Sequence, residues 1–218
     1  HEWIQRIDRL LLSHPDQDHA GGMPAVLNNF KISSLNYSPA GASPILDSVT
    51  KTAHERKVTT KMIEAGIEER IGSVLVCVLH PERDFKSSSS NENSIVLHIS
   101  FGRFSALLTG DLEKSGEKRL VSQSINLHSL LLKVAHHGSR FGTTDALLSR
   151  VQPQWAVVSV GRNNPFGHPS RETMERIRRH GARSFLTMNA GAVRFETDGR
   201  RYVIRSHKWG VLERGILE

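Results

Sequence analysis

The stretch SHPDQDHAGG, Ser13 to Gly22, decides how the rest of the chain is read. From His14 to His19 it carries two histidines and two aspartates, stiffened by Pro15 and closed by Gly21 and Gly22. Imidazole and carboxylate together are the donors that borderline divalent ions prefer. His14, Asp16 and Asp18 lie two apart, so an extended loop points them one way. His19 is adjacent to Asp18 and points apart from it. One short loop can thereby serve two ions. A proline-stiffened Asx turn around a buried histidine gives no reason for four such groups in six positions.

Outward from this loop the chain alternates apolar strands with helical runs. RLLLS (9–13) reads as a buried strand ending at the loop, whereas HEWIQRIDRL at the start reads as the tail of a helix already under way, as in a fragment. GMPAVLNN (22–29) predicts a short helix with Pro24 in its first turn. Residues 32–37 predict a strand, 43–65 a helix closed by Gly66, and 71–79 a strand. KSSSSNEN (86–93) reads as a mobile polar loop. SIVLHIS (94–100) and FSALLT (104–109) form a hairpin turning at 101–103. Further helices are predicted over 113–121, 144–150 and 171–180, the last capped by Ser170. Strands are predicted over 128–134, 155–160, 183–188, 192–197 and 201–206, with an Asp198-Gly199 turn before the last. With no fixed-period repeat and no linker, 1–218 is read as a single α/β domain.

Four of these strands run into loops rich in donors: His14 to His19, Gly110-Asp111, His136-His137-Gly138-Ser139, and Gly161 to His168. If they end at one edge of packed sheets, the loops converge. The chain's 218 residues suffice for a sizeable core. One cysteine, Cys77, excludes an internal disulfide framework and reads as a small buried hydrophobe. No apolar run approaches the roughly 18 residues of a membrane span. The formal net charge of +7 favours polyanionic partners.

The loop resembles the HxHxDH signature of the metallo-β-lactamase superfamily, with Asp16 in place of the second histidine. LLLSHPDQDHAGG, NENSIVLHISFGRFSALLTGDLE, LLKVAHHGS, VVSVGRNNPFGHPS and GAVRFETDG, in this order, are similar to the C-terminal metallo-β-lactamase-like domain of the ComEC family of DNA-uptake channel proteins. The likeness covers nearly the whole chain. It implies an αββα four-layer sandwich. Family members carry a glycine-rich strand pair before the first metal loop, and this sequence opens after it, so one sheet is expected to lack its N-terminal strands. The superfamily also supplies a histidine before the GD aspartate, where this chain has Asn91-Glu92-Asn93-Ser94. An oxygen-richer set suits Mn²⁺ better than a three-histidine set would, which prefers Zn²⁺.

The resemblance assigns His14 and Asp16 to one ion, Asp18 and His19 to a second, Asp111 as a bridge between the two, and His168 as the last ligand. It gives the His136-His137 turn the task of protonating a leaving oxygen, His137 foremost with Asp18 at the reacting centre. Ser139, Arg140, Arg162, Asn163 and Asn164 are the candidates for contacts to phosphate, sugar or base. Phe141 and Phe166 are candidates for base stacking. The structural alternatives are a helix cap for Asp111, a turn histidine for His168 and solvated loop positions for the rest.

The function so implied is a hydrolase, a metal-dependent deoxyribonuclease holding two Mn²⁺ or Zn²⁺ ions that degrades the non-transforming strand during natural transformation. Its partners would be DNA, single-stranded above all, and the transmembrane channel of the same parent. That parent would sit in the bacterial inner membrane, with this domain soluble on the extracytoplasmic side. Two other readings stay open: another hydrolase of the same fold acting on phosphorylcholine esters or small diesters, and a non-catalytic DNA-binding or docking module.

Overall fold

The computed structural model describes residues 5–39, 41 and 43–217; residues 1–4, where the sequence suggested the end of a helix, lie outside them. The rest of that opening segment is strand β1 (Arg6–Leu12), not helix. Leu10 and Leu12 face one side and Leu11 the other, and both sides are buried, so a strand's period of two prevails. There follow α1 (Gln17–Ala20), α2 (Met23–Asn29), β2 (Lys31–Tyr37), α3 (Pro44–Glu55) and β3 (Thr59–Met62). The middle of the chain gives β4 (Glu68–Ile71), β5 (Val74–His80), β6 (Val96–Phe101), β7 (Phe104–Leu108) and α4 (Lys114–Ser122). Next come β8 (Leu131–Lys133), α5 (Asp145–Val151), β9 (Trp155–Val158), α6 (Arg171–Arg179), β10 (Arg183–Leu186) and α7 (Thr187–Ala190). Strands β11 (Val193–Thr197), β12 (Arg201–Ser206) and β13 (Gly210–Ile216) close the described chain.

Three sheets result. A parallel sheet runs β1-β2-β3, a seven-stranded mixed sheet runs β10-β9-β8-β7-β6-β5-β4, and an antiparallel sheet runs β11-β12-β13. Alternation along the large sheet sorts its residues into layers. Leu107, Leu132, Ala156 and Val158 face α4, α5 and α6 through Leu120, Leu147, Leu148 and Ile177. Phe104, Ala106, Trp155 and Phe185 face the other way, onto Tyr202, Ile204 and Leu217 of the antiparallel segment. Beside it, Val78 and Ile95 meet Leu11, and β1 and β2 are covered outside by α2 and α3 through Leu27, Leu46 and Val49. The order is helices, large sheet, two smaller sheets, helices, and those outer helices cover only the parallel one.

Three further sequence expectations need correction, and one strand was not expected at all. The helix expected to run to Ala65 ends at Glu55: Lys57 turns left-handed (φ 57°), and the β-branched Val58-Thr59-Thr60 run leads into β3, paired in parallel with β2. The strand expected over 71–79 begins only at Val74: Ile71 closes β4, and the chain folds back at Gly72 (φ 59°) into β5. Strand β13, with glycines at both ends of a short run, gave no alternating signal and is fixed by pairing with β12. Cys77 is only partly buried; burial and the neighbouring Glu68 push its thiol up.

The large sheet positions the site. Strands β7, β8 and β9 are parallel and in register, Leu108 beside Lys133 beside Val157. Their C-terminal ends therefore open at one edge, and β1 of the facing sheet ends there too: Ile95 donates its N–H to the Ser13 carbonyl (2.9 Å).

Candidate functional site

Each donor-rich loop is shaped by local backbone chemistry. After β1, His14 and Pro15 are buried and the chain turns into α1, so Asp18 and His19 are helical rather than extended. This corrects the expectation that they point apart. Neighbours on a helix are separated by only about 100°, and their ligand atoms, Asp18 Oδ2 and His19 Nε2, lie 3.7 Å from each other. After β7, Gly110 is left-handed (φ 53°) and a Cβ there would sit 2.8 Å from that of Ser94. After β8, His136 (φ 44°), His137 (φ 52°) and Gly138 (φ 85°) are all left-handed. Such conformations cost a non-glycine residue about 1–2 kcal/mol, and runs of this kind concentrate at functional sites. A Cβ at Gly138 would lie 2.6 Å from Pro169, so only glycine lets the two loops close.

Asp18, His19, Asp111 and His137 bring one ligand-type atom each within 4.8 Å of one another. Oδ2 of buried Asp111 lies 3.2 Å from His19 Nε2 and 3.2 Å from His137 Nε2. His137 Nε2 also lies 3.0 Å from Asp18, while its Nδ1 faces the Ser159 carbonyl at 2.7 Å, which fixes the ring. Burial alone would raise the Asp111 carboxyl; hydrogen bonds from His137 and His19, with the Lys133 ammonium, hold it well below the usual carboxylate range. The same bond raises His137, against the effect of its burial.

His14 lies behind this cluster, fully buried, its ring 4.1 Å from that of His19. Burial, and then the charge of His19, lower its pKa to about 4, so the imidazole is neutral and ligand-ready. Its Nδ1 meets the hydroxyls of Ser13 (3.1 Å) and Ser94 (3.3 Å). Its Nε2 is buried without a hydrogen-bond partner, 4.0 Å from Asp16 Oδ2. An orphaned imidazole nitrogen beside a carboxylate, next to four converging donors, is the donor chemistry of a divalent-metal centre.

Other expected residues fall around the cluster in different ways. His136 lines the same cleft of about 610 Å³, its Nδ1 2.8 Å from Glu113 Oε1 and its ring 5.4 Å from that of His168. Burial, then the nearby His136 and His137, lower His168. Asp111 is not a helix cap, since Glu113 holds that position. Ser139 is buried and its hydroxyl accepts the Phe141 N–H, so it does not face the cleft as expected. Asn164 holds its own loop together: its amide donates to the Gly161 and His168 carbonyls, and its Oδ1 accepts the His168 N–H. Asn163 is exposed outside the cluster. Exposed Arg162 donates to the Met188 carbonyl at 2.9 Å. Arg140 lies over the Phe141 ring (4.9 Å to the centroid), and Phe166, 77% exposed, flanks the cleft mouth.

Sequence reasoning missed the residues that hold these groups. Lys133 Nζ donates to the Gly110 carbonyl (2.5 Å) and to Asp111 Oδ1 (3.1 Å), so one oxygen of Asp111 faces the histidines and the other a lysine. A lone charge in the apolar run LLLKV was the available signal. The loop read as mobile is pinned: Ser90 donates to Asp16, and the Asn93 amide to the Ser87 and Ser89 carbonyls. Glu92 accepts from the backbone at Ser115 (3.0 Å) and Gly116 (2.6 Å), and the Ser94 hydroxyl accepts the Asp111 N–H (3.0 Å).

The sequence profile of the metallo-beta-lactamase superfamily matches residues 4–162. The chain is 33% identical over 199 residues to ComE operon protein 3 of Bacillus subtilis (strain 168), covering 90% of the chain and 25% of that protein. It is 33% identical over 193 residues to competence protein ComA of Neisseria gonorrhoeae, covering 88% of the chain and 26% of that protein. It thus spans about a quarter of the length of these curated relatives. Among solved structures, the metallo-beta-lactamase fold protein YhfI from Bacillus subtilis superposes with a TM-score of 0.54 at 10% identity, over 83% of this chain and 74% of that one.

Proposed function

From the premise that the chain belongs to the metallo-beta-lactamase superfamily, whose fold implies divalent metals, we propose that it is a metal-dependent phosphodiesterase acting on DNA during uptake. The observation that carries this reading is the convergence of Asp18, His19, Asp111 and His137 within 4.8 Å, backed by the orphaned Nε2 of His14. Asp18, His19, Asp111 and His137 would hold one ion, and His14 with Asp16 a second, with His168 at the edge of the same cleft. The oxygen-rich set favours Mn²⁺ over Zn²⁺. When bound, such ions supply Lewis-acid stabilisation of phosphate charge and an activated water near neutral pH.

The chain's own residues do the rest. His137 is taken up as a ligand, which leaves His136 as the group that protonates the leaving oxygen. Glu113 on its Nδ1 orients the ring. The strained His136-His137-Gly138 turn holds both rings in fixed positions. Arg140 and Arg162 neutralise flanking phosphates, and Phe166 offers its open face to an unpaired base.

The name of the Neisseria gonorrhoeae relative refers to competence, and this supports a single nuclease domain, 1–218, of a larger membrane-associated protein that acts on the strand not taken into the cell. No helix among the described residues is long and apolar enough to cross a membrane. In this reading the domain would lie outside the bilayer beside the channel of its parent, on the extracytoplasmic side.

The test is cleavage of end-labelled single- and double-stranded DNA with Mn²⁺ or Zn²⁺, beside Asp111→Ala and a chromogenic small diester. Mn²⁺-dependent cleavage of single strands, lost in Asp111→Ala with DNA binding retained, is the expected result. Faster turnover of the small diester than of DNA, or absence of bound metal together with absence of cleavage, overturns it.

A further inference from the structure

The three strands β11, β12 and β13 bury one face and leave the other bare. Val193, Phe195, Tyr202, Ile204 and Leu217 pack onto the large sheet. Strand alternation turns Arg194, Glu196, Arg201, Arg205 and Arg214 outward, and among the described residues no helix covers them. Four arginines thus share a face with one glutamate.

The pairing makes this arrangement costly for folding alone. Arg194 and Arg205 are directly opposite across β11 and β12, and like charges so placed destabilise a sheet. Both reach Glu196, at 2.8 and 2.9 Å, so two cations divide one anion. Across β12 and β13 each outward arginine stands beside an apolar residue: Arg201 by Ile216, Arg205 by Val211, Arg214 by Val203. The apolar residues are therefore interleaved with charge and form no continuous stripe of the kind that settles on a bilayer.

Helix α7 links this sheet to the cleft. The turn between β12 and β13 is anchored on α7: Lys208 donates its N–H to the Ala190 carbonyl (3.1 Å) and Ser206 its hydroxyl to the same oxygen (2.6 Å). Thr187, at the start of α7, lines the cleft, and Arg162 is bonded to Met188 in the same helix. Through these contacts α7 ties Arg162 and the cleft to the turn that carries Lys208 and, beyond it, to Arg205 and Arg194. Trp209, 60% exposed, stands on the turn. At about 3.3 Å per residue, Arg201 to Arg205 spans roughly 13 Å, the axial length of about four nucleotides.

We infer that the outer face of β11–β13 is a track for the phosphate backbone of a single nucleic-acid strand whose end lies in the cleft. This rests on the reading that the cleft acts on DNA, and it adds that the substrate is a long polyanion held well beyond the scissile bond.

The test measures binding without hydrolysis. A labelled 30-nucleotide single strand and a 4-nucleotide one are titrated in EDTA across a salt series, with the unsubstituted protein and with an Arg194→Gln/Arg205→Gln/Arg214→Gln variant checked by thermal melting. Loss of three phosphate contacts should weaken binding of the long strand roughly 100-fold at 0.1 M salt and flatten the salt slope by about 2, at about 0.7 per contact. The 4-nucleotide strand, which cannot fill the cleft and the track together, should lose less affinity than the long one. If the triple variant does not fold, Arg214→Gln alone should lower the slope by about 0.7. Equal affinity and equal slope for the long strand overturn the track. So does an arginine-dependent attachment to phosphatidylglycerol vesicles with no effect on DNA. Because no divalent ion is present, these outcomes stand apart from whether the cleft cleaves DNA.

Discussion

The loops His14–His19 and Lys86–Ser94 are both short, polar and rich in residues that turn chains, and they touch one another through Ser90 and Asp16. They do opposite work. The first presents Asp16 and Asp18 to the cleft and His19 to the cluster beneath it, with His14 buried behind, and the second presents almost nothing. Instead it spends its polar groups on protein: Glu92 on the start of α4, Asn93 on its own turn, Ser94 on His14 and Asp111. A metal centre needs both kinds of loop, because donors left unheld settle on each other or on water.

The difference is broken most severely from the donor side. His19→Ala removes a group that approaches both Asp111 and His137 at 3.2–3.3 Å. An ion's charge stabilisation is worth several kcal/mol, so turnover should fall roughly a thousandfold or more. Bound metal, measured on the dialysed protein, should fall with it while the melting temperature barely moves. A variant that keeps full metal content would take His19 out of the centre.

From the supporting side the damage should be to folding first. Glu92 is buried and accepts from Ser115 and Gly116 at the start of α4, and His80 Nε2 lies 2.8 Å from its carbonyl. Glu92→Ala strands the Ser115 and Gly116 N–H groups, at about 1–3 kcal/mol each when buried, while the His80 contact to the main-chain carbonyl remains. A loss near 3 kcal/mol, or roughly 6–12 °C in melting temperature, is expected for a chain of this size. Unchanged melting would mean that the loop is as loose as its composition suggests.

That composition explains what was legible and what was not. Ligand types are rare, and His14, Asp16, Asp18 and His19 within six positions announce themselves. The large sheet was legible for a similar reason: its parallel strands are short, largely apolar runs such as LLLKV and WAVV. Ser87 to Ser94 announces only flexibility, because a serine hydroxyl looks the same whether it faces solvent or His14. Long-range partners decide between the two, and no local pattern encodes them. The same holds for β13, stabilised by pairing rather than propensity, and for the exchange between His136 and His137, which depends on two left-handed backbone conformations.

Ser94→Ala sharpens the comparison, because it leaves every candidate ligand in place. The hydroxyl meets His14 Nδ1 and accepts the Asp111 N–H, and loss of such an outer contact weakens metal affinity about 10- to 100-fold. Isothermal titration with Mn²⁺ should show this beside a stability loss of about 1–3 kcal/mol, because the buried Asp111 N–H loses its acceptor. An affinity equal to that of the unsubstituted protein would reduce Ser94 to a packing residue.

Glu117 extends the contrast to acids that serve structure only. It accepts the N–H groups of Thr143 and Thr144 before α5. Burial pushes its carboxyl up to about 7, against those bonds and the Arg176 charge. The native state therefore binds more protons than the unfolded chain between about pH 4.5 and 7, so this group lowers stability as pH rises through that window. Melting of Glu117→Gln should decline less across it than that of the unsubstituted protein; parallel curves would mean that Glu117 titrates normally.

The smallest effect should come from Ser90→Ala, where the two loops meet. Its hydroxyl reaches Asp16 Oδ1, but Ser90 is only partly buried and water can take its place. Asp16 keeps its other oxygen 4.0 Å from His14 Nε2 whatever Ser90 does. A two- to fivefold loss of Mn²⁺ affinity, about 0.5–1 kcal/mol, is what a half-exposed neutral hydrogen bond supports. If Ser90→Ala instead weakened binding as much as Ser94→Ala, a local account in which each serine orients one ligand would fail. The support would then be collective, with residues 86–94 moving as one body whose position sets the spacing of His14 and Asp16 together.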